Sequence, residues 1–442
     1  MERYLRRLFI LLCVAGPGLW GTCSAAHAQS LADALASAYT TNPQLQAGRA
    51  QLRATDEGVP VALSGWRPTA TIDAEGGAGT EGDNHSDGLL GRAEFHLRQP
   101  IYTGGRVDGA THEAENLVQS QRAQLTSTEQ QVLLQAITAY MDVLRDESIL
   151  KLDTNHEKIL ETQLASVRRR FNAGELTQTD ISQSQSRLAN ATAERIQAEA
   201  NLSSSRAAYL EVMGAPPQAL VMPEMPGNLP ASEDEAVADS TSHPDIVAAQ
   251  FSERAARNDV QSITGELRPT VSLDGVASTH NETAALLAEV SIPLYQGGGV
   301  AARVRQSKET LGARRLDTET QQRRAATGAA AAWYDLVAAR ARIVSFKTQA
   351  ATAEQAVEGT RREEAQGQRT IHDVLDAEDE SLDAQVNVVG AQHDAIVAAY
   401  RLLAAVGHLT AHDLGLPVQI YDPNPHYQAV REKWWGTDTV GP

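Results

Sequence analysis

The chain has 442 residues, a net charge of −18, 42% hydrophobic residues and 5% aromatics. That acidity disfavours nucleic acid as a partner, because a phosphate backbone is gripped by a surplus of lysine and arginine. Both cysteines, Cys13 and Cys23, fall within residues 1–28, so the remainder is expected to hold no disulfide and no thiolate metal site.

Residues 1–28 have the layout of an export signal. Arg3, Arg6 and Arg7 make a basic start, Leu8 to Leu19 is mostly apolar, and Ala26-His27-Ala28 offers small residues for cleavage before Gln29. The rival is a lipid anchor on Cys23, for which Trp20-Gly21-Thr22 is a poor lead-in. Removing the leader takes away Arg3, Arg6, Arg7 and Glu2 and leaves a net charge of −20.

The chain after the leader reads as a tandem duplication. Asn42-Pro43 is answered by His243-Pro244, and Arg67-Pro68-Thr69 by Arg268-Pro269-Thr270. Pro100-Ile101-Tyr102-Thr103-Gly104-Gly105 is answered by Pro293-Leu294-Tyr295-Gln296-Gly297-Gly298, and Gly174 with Asp180 by Gly367 with Asp373.

Each half carries two alternating runs. Thr69, Thr71, Asp73 and Glu75 alternate with Ala70, Ile72 and Ala74; Arg92, Glu94, His96 and Arg98 alternate with Ala93, Phe95 and Leu97. In the second half Val271 and Leu273 alternate with Thr270, Ser272 and Asp274. Leu286, Ala288, Val290 and Ile292 alternate with Leu287, Glu289 and Ser291, Leu287 being the exception. Period two gives each strand one apolar and one polar face. About ten residues is the length of a tilted strand crossing a bilayer. Four strands cannot close a barrel, for which about eight is the practical minimum, and an open edge cannot sit in lipid. If the strands are in a membrane, several chains must pool them. Three chains would give twelve, apolar residues outward and polar residues lining a lumen.

Beyond each strand pair the period changes. Ile101 to Ala215 and Leu294 to Leu416 contain no proline and are rich in Ala, Gln, Glu, Arg and Leu. Leu382, Val386, Val389, His393, Ile396, Tyr400 and Leu403 form one helical stripe; Val118, Leu125 and Val132 form another. A helix from Gly104 to Phe171 would be about 100 Å long, several times the ~30 Å of hydrocarbon. It must stand in water with lateral neighbours. Asn172-Ala173-Gly174 and Gln366-Gly367-Gln368 are the expected reversals, with Thr177 and Thr370 capping the returning helices.

The expected organisation is a signal (1–28), a first repeat (29–215), a linker or equatorial segment (216–241), a second repeat (242–407) and a C-terminal equatorial tail (408–442). The first repeat holds short helices, a strand pair over 67–100 and a helical hairpin over 104–213. The second holds a helix, a strand pair over 269–294 and a hairpin over 297–407.

On Arg170-Phe171-Asn172-Ala173-Gly174 with Thr179-Asp180, on Gly367 through Ala377, and on Ile101-Tyr102-Thr103-Gly104-Gly105-Arg106, the chain resembles the TolC family of outer-membrane efflux proteins. The resemblance spans Ser30 to about Thr410. It implies an α+β membrane protein, a homotrimer whose twelve-stranded β-barrel, four strands per chain, continues into an α-helical coiled-coil barrel. It implies export through the outer membrane with a periplasmic adaptor (membrane fusion) protein and an inner-membrane ABC, RND or MFS transporter. It places an acidic ring at the periplasmic gate on Asp373 and Asp376. Closing links fall on Arg369, Thr179, Asp180 and Glu364, the last standing where well-known members have an aromatic residue. Pro100, Gly104, Gly105, Pro293, Gly297 and Gly298 mark the barrel-to-helix junctions. Tyr421 to Trp435 looks like the tail of type I secretion ducts; a segment wrapped on the equatorial belt, its tryptophans packed on neighbouring helices, is the plainer reading.

No cofactor is expected and no enzyme. Gly297-Gly298-Gly299 lacks the Gly-Lys-Thr of a phosphate loop, and the histidines, His27, His85 and His96 among them, are scattered without ligand spacing. A soluble periplasmic coiled-coil adaptor would share the helices but would not need the strands. A secreted hydrolase would need a compact core and a site, and neither is visible.

Overall fold

The computed structural model describes residues 29–81, 86–279 and 283–439. The expected signal with both cysteines and His27, and residues 82–85 and 280–282 with His85 and Asn281 among them, lie outside the described residues.

Three short helices, α1 (Leu31–Thr41), α2 (Pro43–Asp56) and α3 (Gly58–Leu63), lead to strands β1 (Thr69–Glu81) and β2 (Ser86–Tyr102). The long helix α4 (Arg106–Asn172) and its return α5 (Gln178–Met213) come next. Helix α6 (Glu233–Asp239) precedes α7 (Pro244–Gly265), strands β3 (Thr270–Ser278) and β4 (Thr283–Ser291), the second long pair α8 (Gly299–Ala365) and α9 (Ile371–Ala405), and α10 (Asn424–Arg431). At 67 residues each, α4 and α8 are about 100 Å long.

The strands form one antiparallel sheet in the order β1-β2-β3-β4. Its register turns the alternation of each strand into rows, because directly paired residues point to one face. Ile72, Phe95, Ala277 and Ala284 line up across all four strands, and so do Ala70, Leu97, Gly275 and Leu286. The other face carries Asp73, Glu94, Ser278 and Thr283, then Thr69, Arg98, Asp274 and Leu287. Leu287, the exception in its strand, therefore lies in a polar row. On that face His96 stands 3.4 Å from Glu94 and Arg98 stands 3.7 Å from Asp274. The apolar face stays uncovered: Ile72, Phe95, Leu97, Leu286 and Val290 are exposed. Strands β1 and β4 are the two edges.

The helices pack lengthwise, α4 against α5 and α7, α8 against α7 and α9. The main core lies midway, where Leu35, Leu45, Leu133, Ile137, Tyr140, Met141, Tyr209, Leu403 and Leu409 bring α1, α2, α4, α5, α9 and the chain after α9 together. Each such large apolar side chain contributes about 1.5–3 kcal/mol by leaving water. The stripe from Leu382 to Leu403 grows more buried toward this core, with Ile396, Tyr400 and Leu403 inside it. Helix α8 is barer, leaving Leu316, Val337 and Val344 exposed.

Two segments differ from expectation. The linker contains α6, because Ser232 accepts from Glu235 N and three acidic residues occupy the first turn, where the helix dipole favours them. The tail contains α10, which packs on α2 and α3. Among the described residues no helix is long and apolar enough to cross a membrane.

Candidate gate at the helical turns

Both hairpins reverse by the same local chemistry. Gly174 and Gly367 have φ of 82° and 74°, a region costly for residues with a Cβ. Glu175 N donates to Arg170 O at 2.9 Å and Gln368 N to Glu363 O at 2.9 Å, closing the ends of α4 and α8. Thr177 and Thr370 then cap the returning helices, as their positions in the sequence predict. Asp180 Oδ2 accepts from Thr177 N at 2.7 Å and from Thr177 Oγ1 at 2.8 Å. Asp373 Oδ2 accepts from Thr370 N and Oγ1, both at 2.8 Å. These bonds hold both carboxyls below the usual carboxylate range.

Polar contacts tie one hairpin to the other. Arg170 Nη1 donates to Glu364 Oε1 at 2.6 Å, joining α4 to α8. His372 Nε2 lies 3.2 Å from the remaining oxygen of Asp180, joining α9 to α5. Arg187 on α5 donates to Asp376 and to Asp379 on α9. A little farther from the turn, His156 Nε2 is 3.2 Å from Asp379, and that hydrogen bond raises the imidazole's pKa against its burial. Glu378, buried on α9, accepts from Arg361 Nη2 at 2.7 Å and from Gln163 Nε2 at 2.8 Å.

The apolar core at this end is small: Leu160, Ala191 and Leu375, with Leu188 against them. Ion pairs and hydrogen bonds, each of modest net strength where solvent reaches them, carry much of the contact between hairpins. An end built this way can be rearranged without exposing a large apolar surface.

Of the residues singled out in the sequence, Asp180 and Glu364 stand in these links, and Asp373 and Asp376 lie a turn apart on α9. Arg369 does not reach Thr179 or Asp180 within the chain. Its Nε donates to Glu363 Oε2 at 3.1 Å and its Nη1 is 3.7 Å from Asp373, because it belongs to the tight turn that Glu363 also closes. Thr179 is exposed. Sequence reasoning missed His372, Arg187 and Asp379. The signal was there: His372, Asp376 and Asp379 recur at helical spacing on one face of α9, and Arg187 lies two turns beyond Asp180 on α5.

At the opposite end the junctions are glycine-built. Gly104 and Gly105 have φ of 69° and 83°, and Gly297 and Gly298 of 64° and 78°, so α4 and α8 begin just after them rather than at Gly104 and Gly297. A Cβ on Gly104 would stand 2.6 Å from Gly265 O. Pro100 sits where the pairing of β2 with β3 shifts register, as suits a residue without an N–H to donate. Pro293 lies just past the end of β4.

Residues 34–215 and 240–408 match the family described as outer membrane efflux protein. The outer membrane efflux protein BepC of Brucella suis is 35% identical over 95% of this chain and 94% of its own. The outer membrane protein TolC of Vibrio cholerae is 24% identical over 88% of this chain and 93% of its own. In fold, the Campylobacter jejuni CmeC outer membrane channel superposes with a TM-score of 0.79 at 12% identity, covering 91% of this chain and 89% of that one. The duplicated hairpins, the four-stranded sheet and these matches agree: the chain belongs to the outer membrane efflux protein family.

Proposed function

We propose that this chain is one protomer of a passive exit duct of the outer membrane, reaching into the periplasm and closed by three copies. The observation that carries the reading is the sheet. It sorts apolar from polar residues in rows across four strands, leaves the apolar face bare, and ends in two unpaired edges. An unpaired backbone group in hydrocarbon costs several kcal/mol. Three sheets joined edge to edge remove every edge and give a twelve-stranded barrel with a polar lumen. The exposed apolar residues of α8 suit lateral contact with a neighbouring copy in the helical tube.

The turns form the gate of this duct at its periplasmic mouth. Asp373 and Asp376 supply its acidic ring. Arg170–Glu364 and His372–Asp180 brace each protomer, and Arg369 steadies the second turn through Glu363 and Asp373. Family membership supports a periplasmic adaptor and an inner-membrane transporter of the ABC, RND or MFS class as partners, and it is the transporter that selects drugs or proteins as cargo. Light scattering of the detergent-solubilised protein tests the assembly. A trimer is expected; a monodisperse, folded monomer overturns the duct.

A further inference from the structure

The chain beyond α9 is a strap pinned along its length, yet it ends by holding two tryptophans in the open. Tyr421 N donates to Tyr39 Oη at 3.1 Å. His426 Nδ1 meets Asp56 Oδ2 at 2.8 Å, with the two side chains only 9% and 1% exposed. Arg431 Nη2 donates to Glu115 Oε1 at 2.9 Å, and Arg67 Nη1 donates to Lys433 O at 2.9 Å. The Arg67 guanidinium also lies over the Trp434 ring, 4.9 Å from its centre. With the backbone so fixed, Trp434 is 57% and Trp435 86% exposed. The expectation that these tryptophans pack on helices is not met; the tail's burial is supplied by Tyr421 and Tyr427 against Leu52, Val59 and Val118 instead.

The place matters as much as the exposure. Arg67 lies two residues before β1, and Gln99 Nε2 of β2 donates to Trp66 O at 2.9 Å, so the strap ends at the foot of the sheet. Ile101, Tyr102, Leu294 and Tyr295 are exposed at the same level, where the apolar rows begin. In the barrel proposed above, this foot is the boundary between hydrocarbon and periplasm. An indole, apolar over most of its surface and with one N–H to hydrogen-bond, partitions to such a boundary.

We infer that the C-terminal strap is a membrane anchor, with Trp434 and Trp435 seated in the headgroup region of the periplasmic leaflet and phospholipid as the partner. The inference rests on the barrel reading and extends it to a segment outside the strands. The buried His426–Asp56 pair and the Arg67–Lys433 contact set the height of the rings relative to β1. The anchor is thus rigidly coupled to the barrel.

The test is tryptophan quenching in the full exported chain, reconstituted in phosphatidylcholine vesicles brominated near the top of the acyl chains. Trp66 and Trp333 supply the background, so the reading is the difference between the parent and W434F/W435F. The difference emission is expected to be quenched by brominated lipid and largely spared by aqueous iodide. Quenching by iodide alone, which places the rings in water or in the lumen, overturns the anchor. So does quenching by neither, which places them under a second copy. F95W in the W434F/W435F background separates the two levels of the reading. If F95W is quenched by brominated lipid while the tail tryptophans are not, the barrel stands and the anchor falls. If F95W is not quenched either, both fall.

Discussion

Arg170 Nη1 donates to Glu364 Oε1 at 2.6 Å, so the last turn of α4 is bonded to the last turn of α8. Glu364 is the more sheltered partner, and Arg170 is also held by Glu175 at 3.2 Å. R170A, E364A and the double variant should give a coupling of about 0.5–1 kcal/mol in a double-mutant cycle on thermal unfolding. Each single variant should also raise conductance in a planar bilayer by loosening the mouth. A coupling near zero together with unchanged conductance would show that the pair braces nothing.

Asp373 and Asp376 should separate by stability although both are assigned to the one proposed ring. Asp373 is half of a capping box, so D373A should lower Tm as the start of α9 frays. D376A leaves Arg187 still bonded to Asp379 and should cost less. In planar bilayers D373A/D376A should weaken cation selectivity and block by multivalent cations. Full retention of both would remove the acidic ring from these positions. R369S should leave selectivity in place and raise conductance.

The faces of the sheet predict opposite tolerances one residue apart. F95R puts a guanidinium in the apolar row and should cost about 2–4 kcal/mol if that row meets the middle of the bilayer. E94Q, in the polar row beside His96, should change folding yield and heat resistance little. Equal tolerance on reconstitution would mean that the rows do not divide lipid from lumen.

Removing either of two titratable groups on α4 should change how stability depends on pH, in opposite senses. The His156 imidazole is raised above 6.5 by Asp379, helped by the charges of Glu378 and Glu194. Its contribution is therefore complete below pH 6.5 and is lost as pH rises through the higher folded pKa. H156Q should lower Tm most at pH 5–6, a window set by that ordinary value of 6.5, and least in alkali. Glu113 on α4 is pushed from 4.5 up to about 7 by burial and by Asp259 on α7. Folding then favours its neutral form, and stability falls as pH rises from 4.5 to about 7. E113Q should match the parent in acid and exceed it above neutrality, by about 1 kcal/mol once solvent screening is allowed for. Calorimetry across pH on both variants checks the signs.

Much of this architecture is legible before any coordinates. Alternation assigns Phe95 and Glu94 to opposite faces, and it even isolates Leu287, because strand geometry leaves a side chain only two directions. Thr177 and Thr370 are readable as caps because a threonine three residues before an aspartate, just past a Gly turn, completes a local hydrogen-bond set. Helices α6 and α10 are not legible: each is too short to show a period, and α10 is stabilised by burial against α2 and α3. The partner of Asp180 is not legible from its turn either. Whether His372 or Arg369 meets it depends on how α9 and the turn before it sit against α5, which packing of Leu375 with Ala191 and Leu188 sets and spacing along one helix cannot.

The pairing of β2 with β3 sets the order in which this molecule can be made. Strand β2 ends at Tyr102, and its neighbour β3 begins only at Thr270. The whole α4–α5 hairpin, α6 and α7 intervene, so the middle of the sheet is a contact of very long sequence separation. Helices, whose contacts are local, form on a far shorter timescale than such pairing. Until β3 arrives, the first strand pair therefore has two unpaired edges and a bare apolar face, an aggregation hazard. A chain stalled before Thr270 cannot complete its sheet, however well its helices have formed. Maturation should track the arrival of the second half, and a holding chaperone would do most good in the interval between them.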